Sequence, residues 1–254
     1  MKHIELMKAY RSISMIIIML FASTANSKDF VVGVEQISYL PYYEGTSQSY
    51  VGFSRDLFDK WAKDLDHNLT FLPLPVGRLY IEYLRPDSNI DFKFPDHPKW
   101  NLEGKKNKQI TYSTKIVNNV DGILVPKEKV GLGPKNINSI STMIGFTLPP
   151  FPSKGRNVPL KIFRNNTIPG VLKQVLSGRV DGSFLNISVA NYFLNHSLKS
   201  PGMLVFDKSL PYTNSYYFLS SIKHKQEIES FNRWIGNNKE LIRNLAKKWG
   251  VPLD

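Results

Sequence analysis

The stretch Val31-Val32-Gly33-Val34-Glu35-Gln36-Ile37-Ser38-Tyr39-Leu40-Pro41-Tyr42-Tyr43 sets a short apolar strand directly before a loop rich in tyrosine. Downstream, Phe53, Leu57, Phe58, Trp61 and Leu65 recur at helical spacing, which predicts an amphipathic helix. Leu69-Thr70-Phe71-Leu72 has the β-branched and aromatic content of a strand and ends at Pro73 and Pro75. A second helix carries Leu79, Tyr80, Ile81, Tyr83 and Leu84 until Pro86 stops it. Ile90-Asp91-Phe92-Lys93-Phe94 alternates apolar and charged residues as a half-buried strand does, and Pro95 is expected to end it. The same grammar recurs between Met143 and Phe206, where Ile144-Gly145-Phe146 opens and Val171, Leu172, Val175 and Leu176 supply the helix. Two such α/β units leave a crevice between them, and interdomain crevices are where small ligands usually sit.

A strand is expected at Val120-Asp121-Gly122-Ile123-Leu124-Val125. The segment Lys127 to Ser139, rich in glycine, lysine and asparagine, reads as the first passage between lobes. Tyr216-Tyr217-Phe218-Leu219 reads as the return. The tail predicts two helices, one with Ile228, Phe231, Trp234 and Ile235 on a face, the other with Leu241, Ile242, Leu245 and Trp249, stopped by Gly250 and Pro252. Returning this tail to the first lobe gives a division into an export signal at 1–27, a discontinuous lobe at 28–126 plus 220–254, and a second lobe at 127–219. Two crossing segments make a hinge that absorbs a closure motion.

Lys2, Lys8 and Arg11 precede the apolar run Met15-Ile16-Ile17-Ile18-Met19-Leu20-Phe21-Ala22, and small residues follow, so cleavage is expected after Ala25 or Ser27. The run is well short of the roughly 20 apolar residues that a membrane span needs. The absence of cysteine excludes a lipidated N-terminus, disulfides and thiolate metal sites, and favours a freely soluble periplasmic protein. The formal charge of +12 falls to +10 when Lys2, Lys8, Arg11 and Glu5 leave with the signal. Basic residues are dense only at Lys105-Lys106-Lys108, the rest being spread over the chain, and no nucleic-acid recognition signature is present.

In order and spacing, several short pieces resemble the family 3 extracellular solute-binding proteins, periplasmic receptors that deliver amino acids to ABC importers. These pieces are Val32-Gly33-Val34 with Pro41-Tyr42-Tyr43, Gly52-Phe53-Ser54-Arg55-Asp56-Leu57, Tyr112-Ser113, Leu176-Ser177-Gly178-Arg179-Val180-Asp181-Gly182 and Lys248-Trp249. The resemblance implies a type II periplasmic-binding-protein fold of two α/β lobes with a hinge of two crossing segments. It implies a monomer that closes over a small polar solute and presents that closed state to an inner-membrane ABC permease or a membrane sensor. Two departures bear on the solute. Where the family places an arginine before its Tyr-Ser pair, this chain reads Glu103-Gly104-Lys105-Lys106-Asn107-Lys108, so a lysine such as Lys106 offers a point charge rather than a bidentate fork. At the position of the family's acidic partner for an amino group stands Asn186.

The ligand-binding candidates are Tyr39, Tyr42, Tyr43, Arg78, Lys93, Lys106, Asn186 and Ser188. The tyrosines lie in the loop after the first strand, where a ligand at the carboxyl edge of a sheet meets them. Ordinary loop packing is the alternative. Arg78 and Lys93 are cations that suit an anionic solute if they face the crevice, or surface residues if they do not. Asn186 and Ser188 sit at a helix start, where they bind a ligand or simply cap the helix. Asp181 is assigned a structural role. The histidines His3, His67, His97, His196 and His224 are scattered and lack metal-ligand spacing, and no nucleophile elbow, phosphate loop or dinucleotide fingerprint occurs. No cofactor, metal or catalytic residue is therefore expected, although a small exported enzyme of the dehydratase type shares the fold class.

Overall fold

The computed structural model describes residues 27–146, 148–152 and 158–253. Except for Ser27, the expected export signal lies outside them. The first half contains β1 (Lys28–Glu35), β2 (Ser38–Tyr39), β3 (Tyr43–Gly45), β4 (Tyr50–Val51), α1 (Phe53–Asp64), β5 (His67–Leu74), α2 (Val76–Leu84) and β6 (Phe92–Asp96). Next come α3 (Leu102–Lys105), β7 (Thr111–Tyr112) and β8 (Val117–Pro126). The second half adds β9 (Ser139–Met143), β10 (Lys161–Asn165), α4 (Ile168–Leu176), β11 (Gly182–Asn186), α5 (Ile187–His196), β12 (Leu204–Phe206) and β13 (Thr213–Ser221), and the tail forms α6 (Lys225–Asn237) and α7 (Lys239–Trp249).

The two halves repeat one arrangement. In the first, β1 lies parallel between β5 and β6, with β13 antiparallel on β6. In the second, β9 lies parallel between β10 and β11, with β8 antiparallel on β11. The long strands β8 and β13 pair with each other, Thr213 to Tyr217 against Asp121 to Val117, and so join the halves into one path, β10-β9-β11-β8-β13-β6-β1-β5. Past Tyr217, β13 changes partner and continues along β6 and β7.

The helices form where the periodicity places apolar faces. On α1, Phe53, Leu57, Phe58 and Trp61 are fully buried. The tail helices return to the first half: Phe231 packs against Trp61, Trp234 Nε1 donates to Asp64, and Trp249 Nε1 donates to Asp56. Gly250, at φ 70°, ends α7 in the left-handed conformation that glycine adopts without a Cβ penalty. No described helix is long and apolar enough to cross a membrane.

Three local expectations change. The strand expected at 90–94 is β6, buried along its whole length and running through Pro95 to Asp96, because it is central between β1 and β13 rather than half-exposed. Its charged residues are tolerated because they satisfy one another, as described below. Ile144-Gly145 is a turn, with Gly145 at φ 86°, and the strand precedes it as β9. Finally, α1 has no helical counterpart among the described residues between β9 and β10.

Candidate functional site

In an open parallel sheet, ligands sit beyond the carboxyl ends of the strands, at the point where strand order reverses. Here β1 ends at Glu35, β6 at Asp96 and β11 at Asn186. Asp96 stands opposite Phe218 of β13 and Asn186 opposite Asp121 of β8, while β1 lies one strand away, beyond β6, and two polar clusters form at these ends.

The first cluster is ionic and belongs to the first half. Lys93 and Asp96 are fully buried, and Lys105 is nearly so. The Lys93 ammonium donates to the Pro95 carbonyl at 2.5 Å and stands 4.2 Å above the Tyr80 ring. Lys105 donates to Asp96 Oδ1 at 2.7 Å and to the His97 carbonyl at 2.8 Å. Asp96 also accepts from Ser220 Oγ at 2.7 Å and from the His97 amide at 2.8 Å. Burial alone would raise the Asp96 pKa, but the two ammonium groups and these hydrogen bonds hold it below the usual carboxylate range. Glu35, which accepts from Tyr43 Oη at 2.5 Å, goes the other way: burial raises it, and the nearby Lys93 charge only partly offsets this.

The second cluster bridges the halves. Tyr42 Oη donates to the Asn118 carbonyl at 3.1 Å, and its ring meets Tyr217 edge-on with centroids 5.5 Å apart. Tyr39 stacks on Tyr43 and touches Phe146 of the second half, with centroids 6.1 Å apart. Asn119, on β8, accepts from Tyr217 Oη at 2.8 Å and from Asn186 Nδ2, and donates to Asp121 Oδ2 at 3.0 Å. The Asn186 carbonyl oxygen caps α5 by accepting from the Val189 amide at 3.0 Å. Asp121 lies opposite Asn186 in the β8–β11 register. Its Oδ1 is enclosed and has no hydrogen-bond partner. Burial pushes the Asp121 carboxyl up to about 6, against the pull of the Asn119 hydrogen bond and of the neighbouring Asn186 amide. Its charge is felt by the hydroxyls of Tyr39, Tyr42 and Tyr217, all of which burial holds above the ordinary tyrosine value.

The structure thus brings together Tyr39, Tyr42, Tyr43, Lys93, Asn186 and Ser188, the last close enough to Tyr42 to lower its hydroxyl's pKa against the larger effect of burial. It does not bring Arg78 or Lys106 there. Arg78 is 67% exposed and faces Glu82 at 3.8 Å, one helical turn along α2. Lys106 is exposed, whereas its neighbour Lys105 turns inward to Asp96. Asp181 does the structural work assigned to it, accepting from the amides of Asn138 and Ser139 and from Lys129. Sequence reasoning missed Glu35, Asp96, Lys105, Asn119, Asp121 and Tyr217. For Asp121 a signal existed, a lone carboxylate in the apolar run Val120 to Val125.

A pocket of about 260 Å³ opens elsewhere, lined by Lys115, Tyr216, Ile235, Lys239, Arg243 and Leu253 among others. The candidate site is placed at the crevice instead, because the strand ends and the buried charges converge there. Among the described residues no group of three histidines or carboxylates is placed to hold a metal ion.

These features define a two-lobe fold of the type II periplasmic-binding-protein class, and solved structures bear this out. The chain is similar to the ligand-binding core of GluR0 in complex with L-glutamate, at 12% identity and a TM-score of 0.68, covering 88% of this chain and 99% of that one. It is similar to a putative binding component of an ABC transporter from Wolinella succinogenes complexed with lysine, at 18% identity and a TM-score of 0.67, over 87% and 95% of the two chains. It is also similar to an ancestral amino-acid-binding protein that is a precursor of cyclohexadienyl dehydratase, at 21% identity and a TM-score of 0.63, over 87% and 94%. No family model and no curated protein matches the sequence.

Proposed function

We propose that the chain is an exported solute-binding protein of the family 3 type, which closes its two lobes over a small polar solute and hands it to an ABC-type importer. The observation that carries this reading is the meeting, at the carboxyl ends of β1, β6 and β11, of a compensated ionic cluster and a tyrosine–amide cluster on either side of two crossing strands. A ligand touching both halves stabilises the closed state by its differential affinity, and a membrane partner reads that shape. The likeness to ABC-transporter binding components supports the same reading.

Within this proposal the hinge lies where β13 changes partner, at Tyr217-Phe218, and at residues 114–116 just before β8. The first passage then falls earlier in the chain than the Lys127 to Ser139 segment. Export follows cleavage near Ala25 or Ser27, and N-terminal sequencing of protein released by osmotic shock tests that step. A second reading, favoured by the likeness to a ligand-binding core in complex with L-glutamate, is that the same clamp reports to a membrane sensor. A thermal-shift screen against amino acids, amines, organic acids, sugars and short peptides tests the shared premise. A ligand at a hundredfold excess over its dissociation constant adds about 2.7 kcal/mol of stability, so a bound solute shows as a raised melting point. Silence across the panel counts against both readings. Loss of uptake of the bound solute on deleting the protein separates transport from sensing.

A further inference from the structure

The crevice charges do not balance in favour of an anion. Lys93 and Lys105 are both paired with Asp96, Lys93 also acts on Glu35, and neither lysine is paired with Asp121. Both ammonium groups are already engaged inside the first half, by Asp96, by the carbonyls of Pro95 and His97, and by the Tyr80 ring. Arg78 and Lys106 face outward. No cation at the crevice among the described residues is thus left to receive a ligand carboxylate. One carboxylate oxygen is left over. Asp121 Oδ1 is enclosed without a hydrogen-bond partner, while Oδ2 is held by Asn119, which Asn186 and Tyr217 position in turn. An enclosed, unmatched acceptor costs free energy until a donor reaches it. Tyr217, whose hydroxyl bonds to the same Asn119, and Tyr42, whose ring meets Tyr217, stand at this cluster, and tyrosine faces attract cations.

We propose that this crevice takes a cationic amine that carries no carboxylate beside its amino group, with the ammonium or guanidinium seated on Asp121. This inference rests on the binding-protein reading and narrows it. The Asn186 amide does not replace a carboxylate in that role but passes its position to Asp121 through Asn119. Because Asp121 ionises only as the pH passes about 6, amine affinity rises between pH 5 and pH 7.5. The groups facing it are the hydroxyls of Tyr39, Tyr42 and Tyr217, which stay protonated across that range.

The test is calorimetric titration of the purified protein with two matched pairs, L-lysine with cadaverine and L-arginine with agmatine, each pair differing by one carboxylate, and with glutarate as an acid of similar length. The proposal expects at least one decarboxylated amine to bind tenfold or more tightly than its parent amino acid, with affinity lost on acidification to pH 5. Asp121→Asn weakens that binding at least tenfold. Should this variant melt early, the pH series on the unaltered protein decides. Lysine or arginine binding as tightly as its amine, glutarate binding alone, or an Asp121→Asn variant that binds undiminished overturns the inference and leaves the binding-protein reading standing. If none of these probes binds, the inference falls; if the wider solute panel is silent too, the binding-protein reading falls with it.

Discussion

Asp96 organises the interior of the first half. It accepts from Lys105, Ser220 and the His97 amide, with Lys93 3.7 Å away, and none of its side chain reaches solvent. Removing one partner of a buried ion pair leaves an uncompensated charge, which costs about 3–5 kcal/mol. Asp96→Ala is therefore expected to destabilise the protein by about that amount in urea unfolding, and Lys93→Met, which removes the opposite charge from the same cluster, restores part of the loss in the double variant. Asp121 behaves in the contrary sense. Its folded-state pKa is raised from 3.8 to about 6, so the folded chain binds more protons than the unfolded one between those values. Its contribution to stability is present below pH 3.8 and lost as the pH rises through 6. At 1.36 kcal/mol per pKa unit, the unliganded protein loses about 2–3 kcal/mol at this one group. The difference in unfolding free energy between the natural protein and Asp121→Asn, followed from pH 4 to pH 7, should change by that amount in favour of the asparagine variant. A flat difference means that Asp121 is solvated and titrates as an ordinary carboxylate.

At the scale of elements, the strands and helices were legible because each signal was local: helical spacing in α1, α6 and α7, prolines bounding α2, and Gly250 ending the tail. What was not legible was which strand is central. Alternating charge made β6 look half-exposed, yet Lys93 and Asp96 are buried by neighbours distant in sequence, including Ser220. The same non-local pairing hid Asn119 and Asp121, whose importance depends on Asn186 and Tyr217 arriving opposite them. The tyrosine loop was found because aromatic residues cluster there in sequence, but its geometry is fixed from outside by Gly52. That residue has φ 114°, and a Cβ on it would lie 2.7 Å from the Tyr43 Cα and 2.8 Å from the Tyr42 carbonyl oxygen. Gly52→Ala therefore combines left-handed strain with a clash against backbone, neither of which a rotamer change relieves. Thermal unfolding should report a loss of about 2–3 kcal/mol, and ligand affinity should fall with it because the shifted backbone carries Tyr42 and Tyr43. An alanine variant that keeps both properties would show that the loop is not held by this contact.

At the scale of the molecule, contacts away from the crossing strands' own ladder also join the halves, and under the proposed closure they set its balance. Tyr42 Oη reaches the Asn118 carbonyl, and the Tyr39 ring meets Phe146. These contacts pull the tyrosine loop of the first half onto the start of β8 and onto the turn after β9. A neutral hydrogen bond contributes about 1 kcal/mol net, a factor of about five in a closed-to-open ratio at 25 °C. Contacts of that size bias an equilibrium without locking it, and a ligand can then move the balance in either direction. Tyr42→Phe keeps the ring against Tyr217 and removes only the hydroxyl, so the fold should survive with its melting point nearly unchanged. Phe146→Ala removes the ring contact from the other side. In the double variant, solution scattering without ligand should show a larger radius of gyration than in the natural protein, and saturating ligand should restore the compact value at a weaker apparent affinity. The affinity loss then equals the loss in closed population, because only the closed state makes both sets of contacts. An unchanged radius together with weakened affinity would instead place Tyr42 in direct contact with the solute, with no part in closure.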